Sequence, residues 1–208
     1  KVLDAVAEGA YDQLDEKKYD DEINIEIIDL YDLDYKGCKS CFHCKKIDGK
    51  FYGQCPIKDD LNELLPKLWA SDAIVMASPI YFGNVTGQMR SFLDRLIFPK
   101  FVYGAESLAD KKTTAFIYTM NVDRNTGEEM YTESVFNSIE RFIEYSFGKP
   151  HSFKVYDTYQ FKDYSLYENY LFDEKAKRKT RDEEFPKDLE KAYNLGKTLV
   201  DEILKKDD

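Results

Sequence analysis

Two short stretches, DAIVMASP at 72–79 and TTAFIYTM at 113–120, are nearly all apolar and end in polar or turn-forming residues. A run that is both short and apolar is expected of a strand buried on both faces of a parallel sheet. Such a sheet needs helices above and below it, and the flanking segments have the spacing to supply them. VLDAVAEGAYDQL places Val2, Val6, Ala10 and Leu14 on one helical face, with acids and Gln13 opposite. DDLNELLPKLWA (59–70) reads as a helix whose Asp60 and Glu63 have capping-box spacing. VTGQMRSFLDRLIF (85–98) is helical through Met89, Phe92, Leu93 and Leu96, with Thr86 as its cap. A long helix is predicted over 128–147. A final helix is predicted from Pro186, with Phe185, Leu189, Ala192, Tyr193, Leu199, Val200 and Ile203 lining its inner face.

Further strands are predicted at INIEIIDL (23–30), from the alternation of Ile23, Ile25 and Ile27, and at FKVYDTY (153–159). Helices and strands therefore alternate, which implies an α/β fold, a doubly wound parallel sheet with helices on both faces. The expected organisation is a single domain over 1–208, with a cysteine-rich loop at 37–56 and a Tyr-rich and basic insertion at 158–184. The basic run KAKRK (175–179) reads as a solvated loop or helix end. An α/β chain normally starts on a strand, so the helix-first order predicts a strand and a loop upstream of Lys1.

Charge and composition narrow the partners. A net charge of −10 repels phosphate backbones and anionic lipid, so nucleic-acid and membrane-surface binding are not expected. No apolar run approaches the length of a membrane span. All four cysteines fall within CKSCFHCKKIDGKFYGQC at 38–55, a pattern expected of a reducing, cytoplasmic setting and not of a disulfide scaffold. Three thiols at C-x2-C-x2-C can converge on one small centre, and Cys55 is followed by Pro56, as in the bacterial ferredoxin run. Ten residues separate Cys44 from Cys55, and IDGKFYGQ reads as a hairpin that returns the fourth thiol. Lys45 and Lys46 would offset thiolate charge. Reduced thiols, a [4Fe-4S] cluster on Cys38, Cys41, Cys44 and Cys55, a zinc ion and a redox disulfide all remain open.

The loop SPIYFGNV follows the first buried run, at the sheet end where open α/β proteins bind ligands. Its Tyr81 and Phe82 offer ring faces, and Gly83 permits close backbone approach, as a flat aromatic cofactor requires. The other reading is a plain strand–helix connection with both rings in the core. ADAIVMASPIYFGNVTGQMRSFLDRL resembles the second flavin-contacting segment of the flavodoxin-like NAD(P)H-dependent FMN reductases. GCKSCFHCK…GQCPIKDDL and DTYQF…FPKDLEKAYNLGK are similar to the iron–sulfur flavoprotein branch of that family and its cluster-free relatives. The likeness runs from about residue 22 to the C-terminus and is strongest at 37–95.

That resemblance implies a five-stranded flavodoxin-like sheet and an FMN-dependent oxidoreductase. NAD(P)H would be the co-substrate, and a quinone or other small molecule the acceptor. It places Pro79, Ile80, Tyr81, Phe82, Gly83 and Asn84 on the flavin ring, and Thr119, Met120 and Asn121 near its pyrimidine edge. The family's first strand and phosphate loop have no counterpart here, and are expected upstream of Lys1. No side chain is predicted to be catalytic, because the flavin carries the chemistry. His43 and His151 read as structural, and Asp94 and Arg95 as an ion pair or subunit contact. An electron-transfer iron–sulfur flavoprotein and a non-catalytic flavin- or metal-binding module are the alternative functions. The Tyr-rich 156–172 segment would serve as a lid or as the contact of a homodimer or homotetramer.

Overall fold

Every residue of the strand Thr113–Tyr118 is buried, because this segment has a strand on each side and helices on both faces. In the computed structural model, which describes residues 1–17 and 24–205, the elements occur in the following order. Helix α1 (Val2–Lys17) is followed by the cysteine loop, α2 (Leu61–Ala70), β1 (Ala73–Tyr81), the two-residue β2 (Asn84–Val85) and α3 (Gly87–Ile97). Then come β3 (Thr113–Thr119), α4 (Arg124–Tyr131), α5 (Asn137–Phe147), β4 (His151–Val155), α6 (Glu174–Glu183) and α7 (Phe185–Leu204). The sheet order is β2-β1-β3-β4, with β1, β3 and β4 parallel and β2 antiparallel to β1. One face packs α2, α3 and α5 over Ile74, Met76, Phe116 and Tyr118. The other packs α1 and α7 over Ala115 and Ile117, with Val75 and Ala77 partly covered.

Four strands are present among the described residues, where five were expected. Ile23 lies outside the described residues, and 24–29 run without regular structure. A strand needs a neighbour to receive its alternating N–H and C=O groups. Residues 24–28 have no ladder partner here, and Ile27 is 53% exposed. The apolar alternation alone therefore does not make a strand.

Local chemistry explains the other departures. Asp60 makes no capping bond to α2; its carboxylate instead accepts the Asp34 N–H at 2.7 Å, tying the cysteine-loop entry to the helix start. Gln13 is buried and donates to Asp201 Oδ1 at 2.7 Å, so the polar side of α1 also faces a helix, α7. The long helix predicted over 128–147 begins earlier, where Asp123 accepts from the Thr126 N–H, and a π turn at Thr132–Phe136 divides it into α4 and α5. The KAKRK run lies on α6, and its Lys177 side chain is only 4% exposed, against the expectation of a solvated run. Thr86 caps α3 as expected, accepting from the Met89 N–H at 3.2 Å. Among the described residues no helix is long and apolar enough to cross a membrane.

Candidate functional site

The parallel register decides which loops meet. Pro79 lies opposite Thr119, and Thr119 opposite Val155, so the segments leaving β1, β3 and β4 emerge at one edge of the sheet. Pro79 through Asn84 and Thr119 through Asn121 thus share the edge where ligands of open α/β sheets bind. β1 runs on to Tyr81, two residues past the expected turn, and Tyr81 pairs with Asn84. Phe82 and Gly83 make the tight turn between them, at φ 49° and 76°. Positive φ at both central residues matches the right-handed twist of a hairpin, but it strains a phenylalanine backbone. The result is a fully exposed Phe82 ring beside an exposed Tyr81. Backbone strain at an exposed aromatic makes this loop a candidate site. Below it, Ser78 Oγ accepts from the Thr86 N–H at 3.1 Å and donates to the Pro79 carbonyl at 2.9 Å, which locks the loop to the cap of α3.

The second segment divides its roles. Met120 turns its side chain into the core, and its carbonyl accepts from the Thr158 N–H at 3.0 Å. Thr119 is half-buried. Asn121 donates to Gln160 Oε1 at 2.7 Å, while its own Oδ1 is buried without a donor. Lys177 holds this loop from behind: its ammonium donates to the Asn121 carbonyl, pairs with Asp157 at 2.5 Å, and lies 4.4 Å from the Phe172 ring centroid. Sequence reasoning missed Lys177. Its only signal was a place in a basic run, and nothing in the run says which cation turns inward.

The four cysteines are free thiols and line one narrow pocket with Arg95, Asp94, Phe98 and Pro99 of the α3 region. Ser40 and Phe42, which separate Cys38, Cys41 and Cys44, have φ of 53° and 57°. These left-handed residues curl the backbone, and all four thiols line the same pocket. IDGKFYGQ is a succession of turns rather than a paired hairpin. It closes with the Gly53 N–H donating to the Cys44 carbonyl at 3.0 Å, which still returns Cys55. Burial raises the Cys44 thiol above its ordinary pKa; Lys45 opposes this, and the other three thiols add to it. Lys45 itself donates to the Phe98 and Phe101 carbonyls and so fastens the loop to the end of α3. Among the described residues, no three His, Cys, Asp or Glu are placed to hold a single metal ion. The free interior of the cysteine pocket is about 10 Å³, room for about one water. Four thiols are the donor set of an iron–sulfur cluster, but a pocket of this size does not admit one as the loop stands.

His151 pairs with Glu202 at 2.9 Å, a structural role, and His43 is exposed in the cysteine loop. A cleft of about 700 Å³ opens between 26–33, 50–60 and α2, and none of residues 79–84 or 119–121 lines it.

A family model of NADPH-dependent FMN reductases matches residues 1–140, from α1 through both candidate loops into α5. The chain belongs to this family. Among curated relatives of this FMN reductase family member, an iron–sulfur flavoprotein of Archaeoglobus fulgidus is 46% identical over 70 residues, 34% of this chain and 32% of that protein. An iron–sulfur flavoprotein of Methanosarcina thermophila is 30% identical over 98 residues, 47% of each chain. The matched segments thus span about a third to a half of these relatives' lengths. An NAD(P)H:quinone oxidoreductase from Methanothermobacter marburgensis superimposes with a TM-score of 0.63 at 16% identity, covering 95% of this chain and 86% of its own. An FMN-dependent NADH-azoreductase from Bacillus anthracis gives 0.59 at 13% identity, covering 96% and 90%. Identities this low speak for the shared flavodoxin-like fold alone.

Proposed function

We propose that this reductase-family chain binds FMN at the Phe82–Asn121 edge and passes electrons from NAD(P)H to a quinone or another small acceptor. The observation that carries the reading is Asn121 Oδ1, a buried acceptor without a donor, at the same sheet edge as the exposed, strained Phe82. A buried polar atom left unpaired is costly, and the pyrimidine N3–H of a flavin is the kind of donor that would satisfy it. FMN, when bound, takes hydride from a nicotinamide and releases its electrons singly or in pairs. The residues of this chain would bind and orient it. Pro79–Asn84 would line the ring, with Phe82 as an apolar face that excludes water. Asn121 would hold the pyrimidine edge, and Lys177 would fix Asn121 and place a positive charge nearby. All 208 residues act in this reading as one cytoplasmic domain, with 37–56 and 158–184 as its excursions.

Fluorescence quenching of titrated FMN tests the binding. Asn121→Ala is expected to raise the dissociation constant roughly 2- to 10-fold, the range of one hydrogen bond. A chain that stays colourless and leaves FMN fluorescence unchanged would sink the reading. NAD(P)H oxidation with an added quinone then tests turnover.

A second reading, an electron-transferring iron–sulfur flavoprotein, is favoured by the four thiols lining one pocket against α3, the helix that begins at the flavin loop. Cys38, Cys41, Cys44 and Cys55 would hold the cluster. A broad brown absorbance added to the flavin bands would separate it from the plain reductase.

The exposed Leu166, Tyr167, Tyr170 and Leu171 are the proposed contact of a homodimer or homotetramer. Tyr170→Ser with Leu171→Ser is expected to shift sedimentation toward the monomer. An unchanged mass would leave the segment as a lid.

A further inference from the structure

In a chain with 40 acidic and 30 basic side chains, a cation ordinarily finds a carboxylate. Two arginines near the Asn121 loop do not. The Arg124 guanidinium lies 4.6 Å from the centroid of the Tyr156 ring, and that of Arg181 lies 5.0 Å from the centroid of Tyr159. Both arginines are exposed, and among the described residues no carboxylate pairs with either. Other cations of α6 behave differently: Lys177 pairs with Asp157 at 2.5 Å, and Arg178 with Glu174 at 2.6 Å. The two supporting rings stand on a segment laced to the Asn121 loop. The Met120 N–H donates to the Val155 carbonyl at 2.9 Å, the Thr158 N–H to the Met120 carbonyl at 3.0 Å, and the Asp157 N–H to the Val122 carbonyl at 2.8 Å. Gln160, next to Tyr159, accepts from the Asn121 side chain at 2.7 Å. Helix α4 lies flush on the same place, for a Cβ on Gly127 would stand 2.9 Å from Met120 Sδ and from a Tyr156 ring carbon. Arg124, the first residue of α4, and Arg181, in the last turn of α6, thus come from two helices to the segments that frame Asn121.

We propose that Arg124 and Arg181 form an anion site for the ribose phosphate that distinguishes NADPH from NADH, and so set the preference for the phosphorylated co-substrate. The inference rests on the flavin reading above, which brings the nicotinamide to this edge. An aromatic ring holds a guanidinium in place without neutralising it, so each arginine keeps its charge and its planar fork of donors. That fork matches the oxygens of a phosphate two at a time. A phosphate monoester adds about two negative charges at neutral pH. A chain of net charge −10 repels NADPH more strongly than NADH unless unpaired cations meet the added phosphate.

The test is calorimetric titration of the full, FMN-loaded chain with NADP⁺ and with NAD⁺. Neither oxidised nucleotide reduces the flavin, so affinity is read without turnover. The wild type is expected to bind NADP⁺ more tightly than NAD⁺. Arg124→Gln and Arg181→Gln should each weaken NADP⁺ roughly 10-fold, the range of one charge-assisted hydrogen bond, and leave NAD⁺ unchanged. Lys179→Gln removes the same charge from α6 at a side chain that faces Glu183 at 3.9 Å, and should leave the ratio as it is. Both arginines are exposed, so far-ultraviolet circular dichroism should stay that of the wild type; the variants are read singly, and either one decides. Equal affinities in the wild type, or equal losses for both nucleotides in the variants, overturn the inference and leave the flavin reading standing. A fall in the preference for FMN over riboflavin, with the nucleotide ratio intact, assigns the arginines to the flavin's own phosphate and overturns it too. A wild-type chain that binds no FMN overturns the inference together with the reading beneath it.

Discussion

Replacing Arg95 by methionine is expected to lower the unfolding free energy by about 3–5 kcal/mol, the cost of breaking a buried ion pair from one side. The loss is large because of what stays behind. Asp59, at 12% side-chain exposure, keeps its charge without the bidentate partner that offset its desolvation. The Lys36 carbonyl loses its 2.8 Å donor as well. Removing Asp59's charge in the same chain, as Asn, should restore much of the stability, since an absent pair costs far less than half of one. Urea titrations of the wild type, single and double variants check this through their midpoints at constant slope.

The pH dependence of the effect has a definite sign. Burial works against the Asp59 carboxylate, but the hydrogen bonds from Arg95 and the Lys36 amide outweigh it and hold its pKa below the ordinary 3.8. The unfolded chain therefore binds this proton more readily than the folded one. The stabilisation is fully present above about pH 4 and is lost as pH falls through the depressed folded value. The gap between wild type and Arg95→Met should thus narrow in acid and stay constant from pH 5 to pH 8. A gap that narrowed toward alkaline pH would contradict the assignment.

A single methyl group at Gly196 is expected to cost about 3 kcal/mol or more. Its Cβ would stand 2.0 Å from the Val6 carbonyl oxygen and 2.8 Å from the Ala10 nitrogen, both backbone atoms of α1. The approach is reciprocal, for a Cβ on Gly9 would meet the Tyr193 carbonyl oxygen at 2.0 Å. No side-chain rotamer can relieve contacts between a methyl group and backbone, so the two helices must separate. That places the substitution at the upper end of over-packing costs, beyond the ~1 kcal/mol that alanine gains in helix propensity. Splaying α1 from α7 uncovers Ala115 and Ile117 of β3, whose burial depends on that pair. Chemical denaturation of Gly196→Ala and Gly9→Ala checks the prediction, with Gly87→Ala, where nothing lies within 4 Å, as the control expected to cost little.

The glycine pair shows where sequence reasoning stops. AYNLGKT carries the periodicity of α7, and Ala192, Leu199 and Val200 are buried as the spacing predicted. Why a glycine interrupts it is visible only from α1, which lies far away in sequence. The same holds for Lys177, Gln13 and Arg95, polar residues that local pattern assigns to solvent or to a surface pair. Each is buried because a distant segment supplies its partner: Asp157, Asp201 and Asp59. The loop over 79–84 was legible as a site because its ingredients are adjacent. Its strain was not, since φ at Phe82 is set by closure of the Tyr81–Asn84 pair.

Local chemistry alone determined the strands Ala73–Tyr81 and Thr113–Thr119, of which only the second is buried along nearly its whole length, the Thr86 cap, the α/β class and the curl of the C-x2-C-x2-C spacers. These depend on residues within a turn or two of one another, and hydrophobic period and φ preference act at that range. Tertiary structure decided the rest. Residues 24–28 stayed irregular because a strand exists only with a neighbour to receive its hydrogen bonds. Asn121 Oδ1 became a buried, unsatisfied acceptor because β3 and the loop after β4 close around it. The four cysteines became one pocket because an arginine on α3 holds both ends of their loop.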